Sequence, residues 1–330
     1  MKTPQKQILL VALVITLSML VGGCERHSKS EQYFLIATHI GLPYWQSAHA
    51  GFTKAAAEYG VSEEIRGPEA FTPTVEVDEF RAAVARKPAG ILVSVADPAL
   101  MGPEINKAIA AGIPVITMDS DAPESQRLFF IGTNNLEAGR LGGQRVAAEL
   151  NGKGNVVFFT MPSQPNLVER LKGYQDVFAS HPGIKVVEVF DMKGESGTAM
   201  DKAREYLSRT GASKIDAFIC LESSSGKDVG EAFKRAKPQN TILMAMDVDQ
   251  ATLELVKDGT IGATISQKPF TMAFVGLKEL DEIFHNKPTS LTKDYSVDAF
   301  SQYPVFIDTG TALVDKANVD LYSRAASEHR

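Results

Sequence analysis

The sequence predicts an α/β protein made of two doubly wound, parallel-sheet lobes. Three observations predict this fold. From residue 33 onward, short runs that are apolar nearly throughout alternate with longer amphipathic runs, which is typical of parallel sheets covered on both faces by helices. The chain has 330 residues, enough for two domains of ordinary size. A short segment at 129–134 separates two series of βα units of roughly equal length.

Each element is predicted from its own run. Strands are expected where the short apolar runs occur, over residues 33–38, 90–95, 114–119, 155–160, 184–190, 217–221, 242–247 and 262–266. Helices are expected where the amphipathic runs occur, over residues 44–59, 75–86, 99–111, 136–150, 167–180, 199–210, 227–236, 250–257 and 270–284. Glycines follow three of these helices, at Gly60, Gly112 and Gly211, where a left-handed residue often ends a helix.

The N-terminus has the marks of an export signal. Lys2 and Lys6 precede an uncharged run over 8–21 that ends in Gly22-Gly23-Cys24. The run is shorter than the roughly 20 residues that a membrane-spanning helix needs. We therefore expect a signal peptide over 1–23 and a tether over 24–32. The cysteine after two glycines resembles a bacterial lipobox, which implies cleavage before Cys24 and a lipid on its sulfur. An ordinary signal peptide with an incidental cysteine stays open, and either case puts the mature chain outside the cytoplasm.

Charge and cysteine content exclude several classes of protein. The formal net charge is −6, and loss of Lys2 and Lys6 with the leader makes it −8, which argues against nucleic-acid binding. Of the two cysteines, Cys220 lies in an apolar run and is expected to pack as a small hydrophobic residue. A lipid on Cys24 would leave no disulfide. After the leader, no apolar run is long enough to span a membrane.

A ligand cleft is predicted from the strand-end loops. Ligands bind beyond the carboxyl ends of the strands in open α/β sheets, so two facing lobes place two sets of loops across one cleft. These loops supply aromatic rings, carboxylates and amides, at Tyr44, Trp45, Asp119, Asp121, Asn134, Asn135, Asn166, Glu222, Asp247 and Gln267. The mixture suits a sugar, which has a C–H face and a rim of hydroxyls.

Structural roles for the same side chains stay open. Tyr44-Trp45 would also fit the buried start of a helix, and a strand-end aspartate often caps a helix. Asn134 and Asn135 are better explained as caps of the following helix than as ligand contacts.

Several motifs occur in an order that identifies a family. They include Gly41-Leu42-Pro43-Tyr44-Trp45, the run from Ala111 to Asp119, Ile131-Gly132-Thr133-Asn134-Asn135, Arg170-Leu171-Lys172-Gly173-Tyr174, Met246-Asp247 and the run from Ala263 to Gln267. Together they resemble the ribose/galactose-type periplasmic binding proteins, the sugar-binding subunits of bacterial ABC importers. The resemblance implies the type I periplasmic binding protein fold, with an N-terminal lobe over 33–133 plus 268–298 and a C-terminal lobe over 134–267 plus 299–330. It also implies that the chain crosses between the two lobes three times, near residues 132–134, 267–269 and 298–303, and that these crossings form the hinge.

The resemblance also implies roles for individual residues. Tyr44 and Trp45 would lie against the sugar, and Asp119, Asp247 and Gln267 would take its hydroxyls. Glu222 stands where the family has an asparagine, so the acceptor is kept and the donor is lost, while Arg170 would be mainly structural. Two arginines of the family are replaced by Ser120 and Val168. Without these two donors, the pocket has relatively more hydrogen-bond acceptors. This favours a neutral sugar or polyol other than ribose, or an amino-bearing ligand, whose own groups would donate.

The predicted function is that of an extracytoplasmic receptor. It would capture a sugar or polyol by hinge closure and deliver it to an ABC importer permease as a lipid-anchored monomer. The alternatives are a ligand-loaded sensor for a chemoreceptor or membrane histidine kinase, and a glycan-processing enzyme. Gly194-Glu195-Ser196-Gly197 lacks the spacing of a nucleophile elbow, and no two of the six histidines have metal-ligand spacing. We therefore expect no catalytic residue, metal or cofactor.

Overall fold

A computed structural model describes residues 27–328 of the chain. The predicted signal peptide and Cys24 lie outside the described residues. Among residues 27–328, no helix is both long enough and apolar enough to cross a membrane.

The first lobe is built on a six-stranded sheet in which every pairing is parallel. In the order β11-β5-β4-β3-β1-β2, its strands are β1 (Gln32–Ile36), β2 (Ser62–Arg66), β3 (Gly90–Val93), β4 (Val115–Met118), β5 (Phe130–Gly132) and β11 (Phe306–Asp308). Its helices are α1 (Pro43–Tyr59), α2 (Pro73–Ala85), α3 (Pro98–Ala110) and α9 (Pro269–His285). The helices pack in two pairs, α1 with α9 and α2 with α3.

The second lobe repeats this plan. Its sheet has the order β12-β10-β9-β8-β6-β7, with strands β6 (Lys153–Thr160), β7 (Gly183–Asp191), β8 (Ala217–Cys220), β9 (Ile242–Met246), β10 (Ala263–Ser266) and β12 (Ala312–Asp315). Only β12, among these strands, pairs in the antiparallel sense. Its helices are α4 (Asn135–Glu149), α5 (Pro165–Phe178), α6 (Ser196–Leu207), α7 (Ser225–Ala236), α8 (Gln250–Asp258) and α10 (Val319–Glu328), with a short 3₁₀ turn at Gly211–Ser213. The two α/β lobes confirm the predicted fold class.

Glycines bring α4 and α5 into backbone contact at the base of the cleft. A Cβ on Gly139 would lie 2.1 Å from the Arg170 carbonyl oxygen, and one on Gly173 would lie 2.2 Å from the Leu136 carbonyl oxygen. Larger residues would push the helices apart, because neither contact has room for a side chain. This close approach seats Arg170 beneath the cleft, where its side chain is 3% exposed.

The chain crosses between the lobes three times. The crossings follow β5 at 133–134, β10 at 267–268 and β11 at 309–311. The third lies further along the chain than predicted, because Phe306–Asp308 pairs with β5 and Phe306 stacks on Phe130 with ring centroids 5.2 Å apart. Residues 299–308 therefore lead into a strand of the first sheet, and the predicted start of the C-terminal lobe at residue 299 is too early.

Candidate functional site

A pocket lies between the two lobes. It encloses about 550 Å³ of space that no atom fills, its open mouth included. Its walls contain eight of the nine predicted ligand-binding residues, namely Tyr44, Trp45, Asp119, Asn166, Arg170, Glu222, Asp247 and Gln267. The first three come from the first lobe, Gln267 comes from a crossing, and the remainder come from the second lobe. The structure therefore brings together side chains that are far apart in sequence.

Asp119 projects into the pocket from the end of β4. Its backbone is left-handed, with φ of 63°, which is uncommon for a residue other than glycine. One carboxylate oxygen accepts from the Tyr44 hydroxyl at 2.8 Å, and the other accepts from Ser94 Oγ at 3.1 Å. Burial raises the pKa of the Asp119 carboxyl, although the Arg170 guanidinium and these donors oppose the shift. The donors hold the carboxylate in one orientation.

Asp247 occupies the matching place in the second lobe, at the end of β9. Its backbone is also left-handed, with φ of 70°. Its Oδ1 accepts from Gln267 Nε2 at 2.9 Å. Burial raises the pKa of the Asp247 carboxyl to about 7, with Arg170 opposing the shift and Asp119 adding to it. Two strained aspartates thus face one pocket from opposite lobes, and such strain is found preferentially at functional sites.

Arg170 is a buried cation whose charge opposes the rise in pKa of both carboxyls, and three of its five N–H donors bond to protein groups. Nε donates to Asn135 Oδ1 at 2.8 Å, and the two terminal nitrogens donate to the Leu221 carbonyl at 2.9 Å and to Gln267 Oε1 at 2.7 Å. The same Gln267 oxygen accepts from Thr133 Oγ1 at 2.9 Å. This network ties the second lobe to two of the three crossings.

Glu222 lines the pocket, but its carboxylate also fixes the loop before α7. One oxygen accepts from the Ser224 backbone N–H and hydroxyl at 2.6 and 2.7 Å, and the other accepts from the Ser225 N–H at 2.6 Å. The residue thus combines a capping role with a third negative charge near the pocket. Three carboxylates against one buried guanidinium make the pocket rich in acceptors.

The two predicted aromatic residues lie in the first turn of α1. Their rings meet edge to face, with centroids 5.2 Å apart. Trp45 is 2% exposed, packs in the first lobe's core and contributes to the pocket wall. Burial, followed by the Asp119 and Asp247 carboxylates, raises the pKa of the Tyr44 hydroxyl well above its ordinary value. The structure thus supports both readings of this pair, a helix start and a pocket wall.

Asp121 does not line the pocket. Its carboxylate forms a two-pronged ion pair with Arg127, at 2.7 Å from Nε and 2.7 Å from a terminal nitrogen, and it also accepts from Thr117 Oγ1 at 2.5 Å. These contacts fix the segment between β4 and β5. The expectation that Asp121 binds ligand is corrected accordingly, because its acceptor sites point to Arg127. Asn134 likewise caps α4, accepting from the Glu137 N–H at 3.1 Å.

The pocket wall also contains residues outside the predicted set of ligand contacts. His39 follows β1, and was expected near the cleft in a structural role; Met161 and Gln164 follow β6, and Phe71 and Gly194 follow β2 and β7. Burial lowers the pKa of the His39 imidazole, which favours its neutral form. Phe71 follows β2. Because β2 is a charged strand without an apolar run, it was not predicted, and Phe71 was therefore not placed in a strand-end loop.

The lobes touch across the pocket. Asn166 Nδ2 of the second lobe donates to Asp119 Oδ2 of the first lobe at 3.4 Å. Phe71 of the first lobe packs against the second lobe's core, and a Cβ on Gly194 would lie 2.7 Å from Phe71 Cβ. The described arrangement is therefore a closed one.

Comparison with known proteins agrees with this architecture. The model of the periplasmic binding protein domain matches residues 33–288. The xylose/arabinose-binding protein XylF of Sulfolobus acidocaldarius is 24% identical over 301 residues, covering 86% of this chain and 71% of that protein.

Two solved structures resemble the chain along most of its length. A sugar-binding protein of a sugar ABC transporter from Bacillus halodurans superposes with a TM-score of 0.75 at 32% identity, covering 88% of this chain and 99% of that one. AraP, an arabinose-binding protein from Geobacillus stearothermophilus, gives a TM-score of 0.73 at 31% identity, with the same coverage. The chain belongs to the periplasmic binding protein family, whose members bind solutes rather than catalyse reactions.

Proposed function

We propose that this protein is the receptor of an ABC importer and captures a neutral sugar or polyol between its two lobes. The observation that carries the proposal is the placement of Asp119 and Asp247, left-handed strand-end carboxylates that face one pocket from opposite lobes. Sugar hydroxyls donate well to carboxylates, and a bond to a charged acceptor is worth about 1.5–3 kcal/mol. The relatives named for arabinose and xylose make a pentose the first ligand to test.

Capture would proceed by closure of the lobes about the three crossings. A ligand that touches Asp119 in one lobe and Asp247 in the other binds the closed form more tightly than the open form, and this difference drives closure. Trp45 would cover the apolar C–H face of the sugar, and Asn166 and Gln267 would complete the polar rim. The permease would then recognise the closed receptor.

The protein would work outside the cytoplasm on a lipid anchor at Cys24. The support is the sequence Val21-Gly22-Gly23-Cys24 after a short apolar run. A single acyl chain binds membranes only weakly, so more than one chain would be required. Cys24→Ser should shift the protein from the membrane fraction to the soluble fraction or leave it unprocessed. A processed Cys24→Ser protein that stays with the membrane would contradict the anchor.

The binding proposal is tested by a thermal-shift screen against pentoses, hexoses and polyols. A ligand that binds only the folded protein raises its melting temperature. We expect at least one pentose or polyol to raise it, and the double variant Asp119→Asn/Asp247→Asn to lose the effect.

The matched control is Asp97→Asn. Asp97 also follows a strand, but it caps α3 by accepting from the Ala99 N–H at 2.9 Å, and it is absent from the pocket wall. Because asparagine caps helices as well as aspartate, this variant should respond to the sugar like the wild type. An equal response from the double variant would contradict the proposed site.

A further inference from the structure

A short stretch of the first lobe, residues 295–301, exposes two large apolar side chains, and we call it the apolar turn. It belongs to the segment 286–305, which joins α9 to β11. Phe300 is 96% exposed and Val297 is 80% exposed, the highest fractions among the large hydrophobic side chains in the described part of the chain. Neither belongs to the wall of the interlobe pocket. Apolar side chains exposed together mark surfaces that meet a partner or a membrane, and these two are three residues apart.

Hydrogen bonds and ring contacts hold the apolar turn to the body of the lobe. Asp298 Oδ1 accepts from the Phe300 N–H at 2.9 Å. Tyr295, where the turn begins, meets Tyr303 edge to face with ring centroids 4.9 Å apart. Tyr303 stacks on Phe129 of the core with centroids 6.2 Å apart. The exposed side chains are therefore carried by a turn whose base is packed on the lobe.

The apolar turn lies at the end of the first lobe opposite the cleft, which we call the distal end. Its base packs on Phe129, the residue before β5. The Phe130 N–H donates to the carbonyl of Val305, the residue before β11, at 3.2 Å. Both positions lie at the amino ends of parallel strands, whereas Asp119 and the pocket lie at the carboxyl end of β4.

The described chain begins at the same distal end. The Ser62 hydroxyl, at the start of β2, donates to the Lys29 carbonyl at 2.7 Å. His27 Nε2 lies 2.9 Å from Asp281 Oδ2. The same carboxylate accepts from the hydroxyl of Tyr33, the second residue of β1, at 3.0 Å. These contacts place residues 27–29 beside the amino ends of β1 and β2.

Our inference rests on the lipid anchor proposed for Cys24. Cys24 precedes His27 by three residues, and an extended chain spans at most about 3.6 Å per residue, so the lipid would be tied within roughly 11 Å of His27. The headgroup region on each side of a bilayer is roughly 5–8 Å thick. An anchor this short brings the distal end of the first lobe to the membrane surface.

We propose that the apolar turn is a second membrane contact, which buries Val297 and Phe300 in the lipid headgroup region beside the anchor. The segment 286–305 contains two lysines and two aspartates, and Lys293 pairs with Asp298 at 2.5 Å. Charge therefore gives the turn no preference for anionic lipid, and the contact is apolar. Burial of apolar surface strengthens interfacial binding, and it adds to acyl chains that hold only weakly when single.

The first test places a fluorescent dye at the turn. It uses the lipidated protein, processed by the cell from the full chain, in vesicles of phosphatidylcholine with or without phosphatidylglycerol. Phe300→Cys is labelled, and Leu100→Cys is the matched control, because Leu100 is 41% exposed in the first turn of α3, at the cleft end of the same lobe. Cys220 is 1% exposed and should not react. We expect nitroxide-labelled headgroups to quench the dye at position 300 at least fivefold more than the dye at position 100, in both kinds of vesicle.

The second test needs no dye. Val297→Ser/Phe300→Ser should shorten the half-time of protein transfer between two vesicle populations at least tenfold, because less apolar surface then has to leave the bilayer. Val187→Ser is the control, since it changes a valine of β7 in the second lobe that is 45% exposed. This variant should transfer like the wild type.

The mass of the N-terminal peptide separates the membrane contact from the anchor. A processed protein without lipid on Cys24 would overturn both. A lipidated protein would overturn the contact alone if the dyes at positions 300 and 100 were quenched equally or if quenching required phosphatidylglycerol. Transfer of the double serine variant at the wild-type rate would overturn it as well, and the exposed side chains would then be assigned to a protein partner.

Discussion

At the scale of single residues, the pocket depends on two aspartates in equivalent strained positions. A left-handed residue other than glycine costs on the order of 1–3 kcal/mol, and both Asp119 and Asp247 have this conformation. The cost is incurred where the carboxylates turn from the strand ends toward the cleft. Asparagine also tolerates this region of φ and ψ, so an Asp→Asn change isolates the effect of charge from that of backbone conformation.

The raised pKa of Asp247 predicts a pH dependence of both stability and binding. Because the folded protein holds this proton up to about pH 7 and the unfolded chain releases it near pH 4, the carboxyl lowers stability as pH rises between these values. Sugar hydroxyls favour the ionised form, so sugar affinity should rise as pH increases through 7. Calorimetry from pH 5.5 to 8 should show this rise in the wild type and a flatter profile in Asp247→Asn. Identical profiles would contradict the role of this carboxylate.

Arg170 should matter for stability as well as for binding. Arg170→Met takes one donor from each of three buried acceptors, of which Gln267 Oε1 keeps Thr133 Oγ1, and removes the cation that lowers the pKa of two carboxyls. Loss of one partner of a buried charge network costs about 3–5 kcal/mol. We expect that loss in the free energy of unfolding at pH 7 and a smaller loss at pH 5, where Asp247 is protonated.

Denaturant melts of Arg170→Met and Arg140→Met would check this expectation. Arg140 is exposed and pairs with Glu137 and Asp176, so its loss should cost less than about 1 kcal/mol. Equal costs for the two variants would show that Arg170 has no special place in the network.

Some residues of the site could be predicted from the sequence, and others could not. Asp119 and Asp247 follow strands that are apolar nearly throughout, so the strand ends and hence the cleft were predictable. Asp121 satisfies the same sequence criterion, but Arg127 comes close enough to bind both its oxygens. That pairing depends on the path of the loop, which local sequence does not determine.

At the scale of elements, most strands in the interior of the sheets were predicted, whereas the edge strands β2, β11 and β12 were not. The edge strand β7 was predicted, and the three-residue internal strand β5 was missed. β2 contains two glutamates and an arginine and lies at the edge of the first sheet, so it lacks the continuous apolar run of a central strand. β11 and β12 are 3 and 4 residues long and each ends in an aspartate, so neither forms a continuous apolar run. Omission of β2 removed Phe71 from the predicted cleft, and omission of β11 moved the predicted third crossing.

Contact between Phe71 and Gly194 predicts a steric test of closure. Gly194→Ala places a methyl group 2.7 Å from Phe71 Cβ in the closed form and strains a residue with φ of +83°. We expect it to raise the dissociation constant for sugar at least tenfold, because closure is obstructed.

Gly112→Ala is the matched control. Gly112 also has φ of +83°, but its Cβ would meet no atom within 4 Å. Both variants should therefore lose about 1–2 kcal/mol from left-handed strain, which denaturant melts would measure, while only Gly194→Ala loses affinity. Unchanged sugar affinity in Gly194→Ala would mean that binding does not require this contact.

At the scale of the whole molecule, polar contacts concentrate where the lobes meet. Gln267, in the second crossing, bonds Thr133 in the first crossing and both Arg170 and Asp247 in the second lobe. Movement of the lobes about the crossings therefore alters the hydrogen bonds of a pocket residue directly. This coupling gives the ligand a route to bias the open and closed forms, since contacts with Asp119 and Asp247 are made together only in the closed form.

The most direct test is small-angle scattering with and without saturating arabinose or xylose, on the wild type, Asp119→Asn and Asp247→Asn. The account predicts that a bound pentose reduces the radius of gyration of the wild type. At the same sugar concentration, each variant should stay extended, because one lobe has lost its charged acceptor. Wild-type protein that binds the sugar without becoming more compact would contradict capture between the lobes, as would variants that close like the wild type.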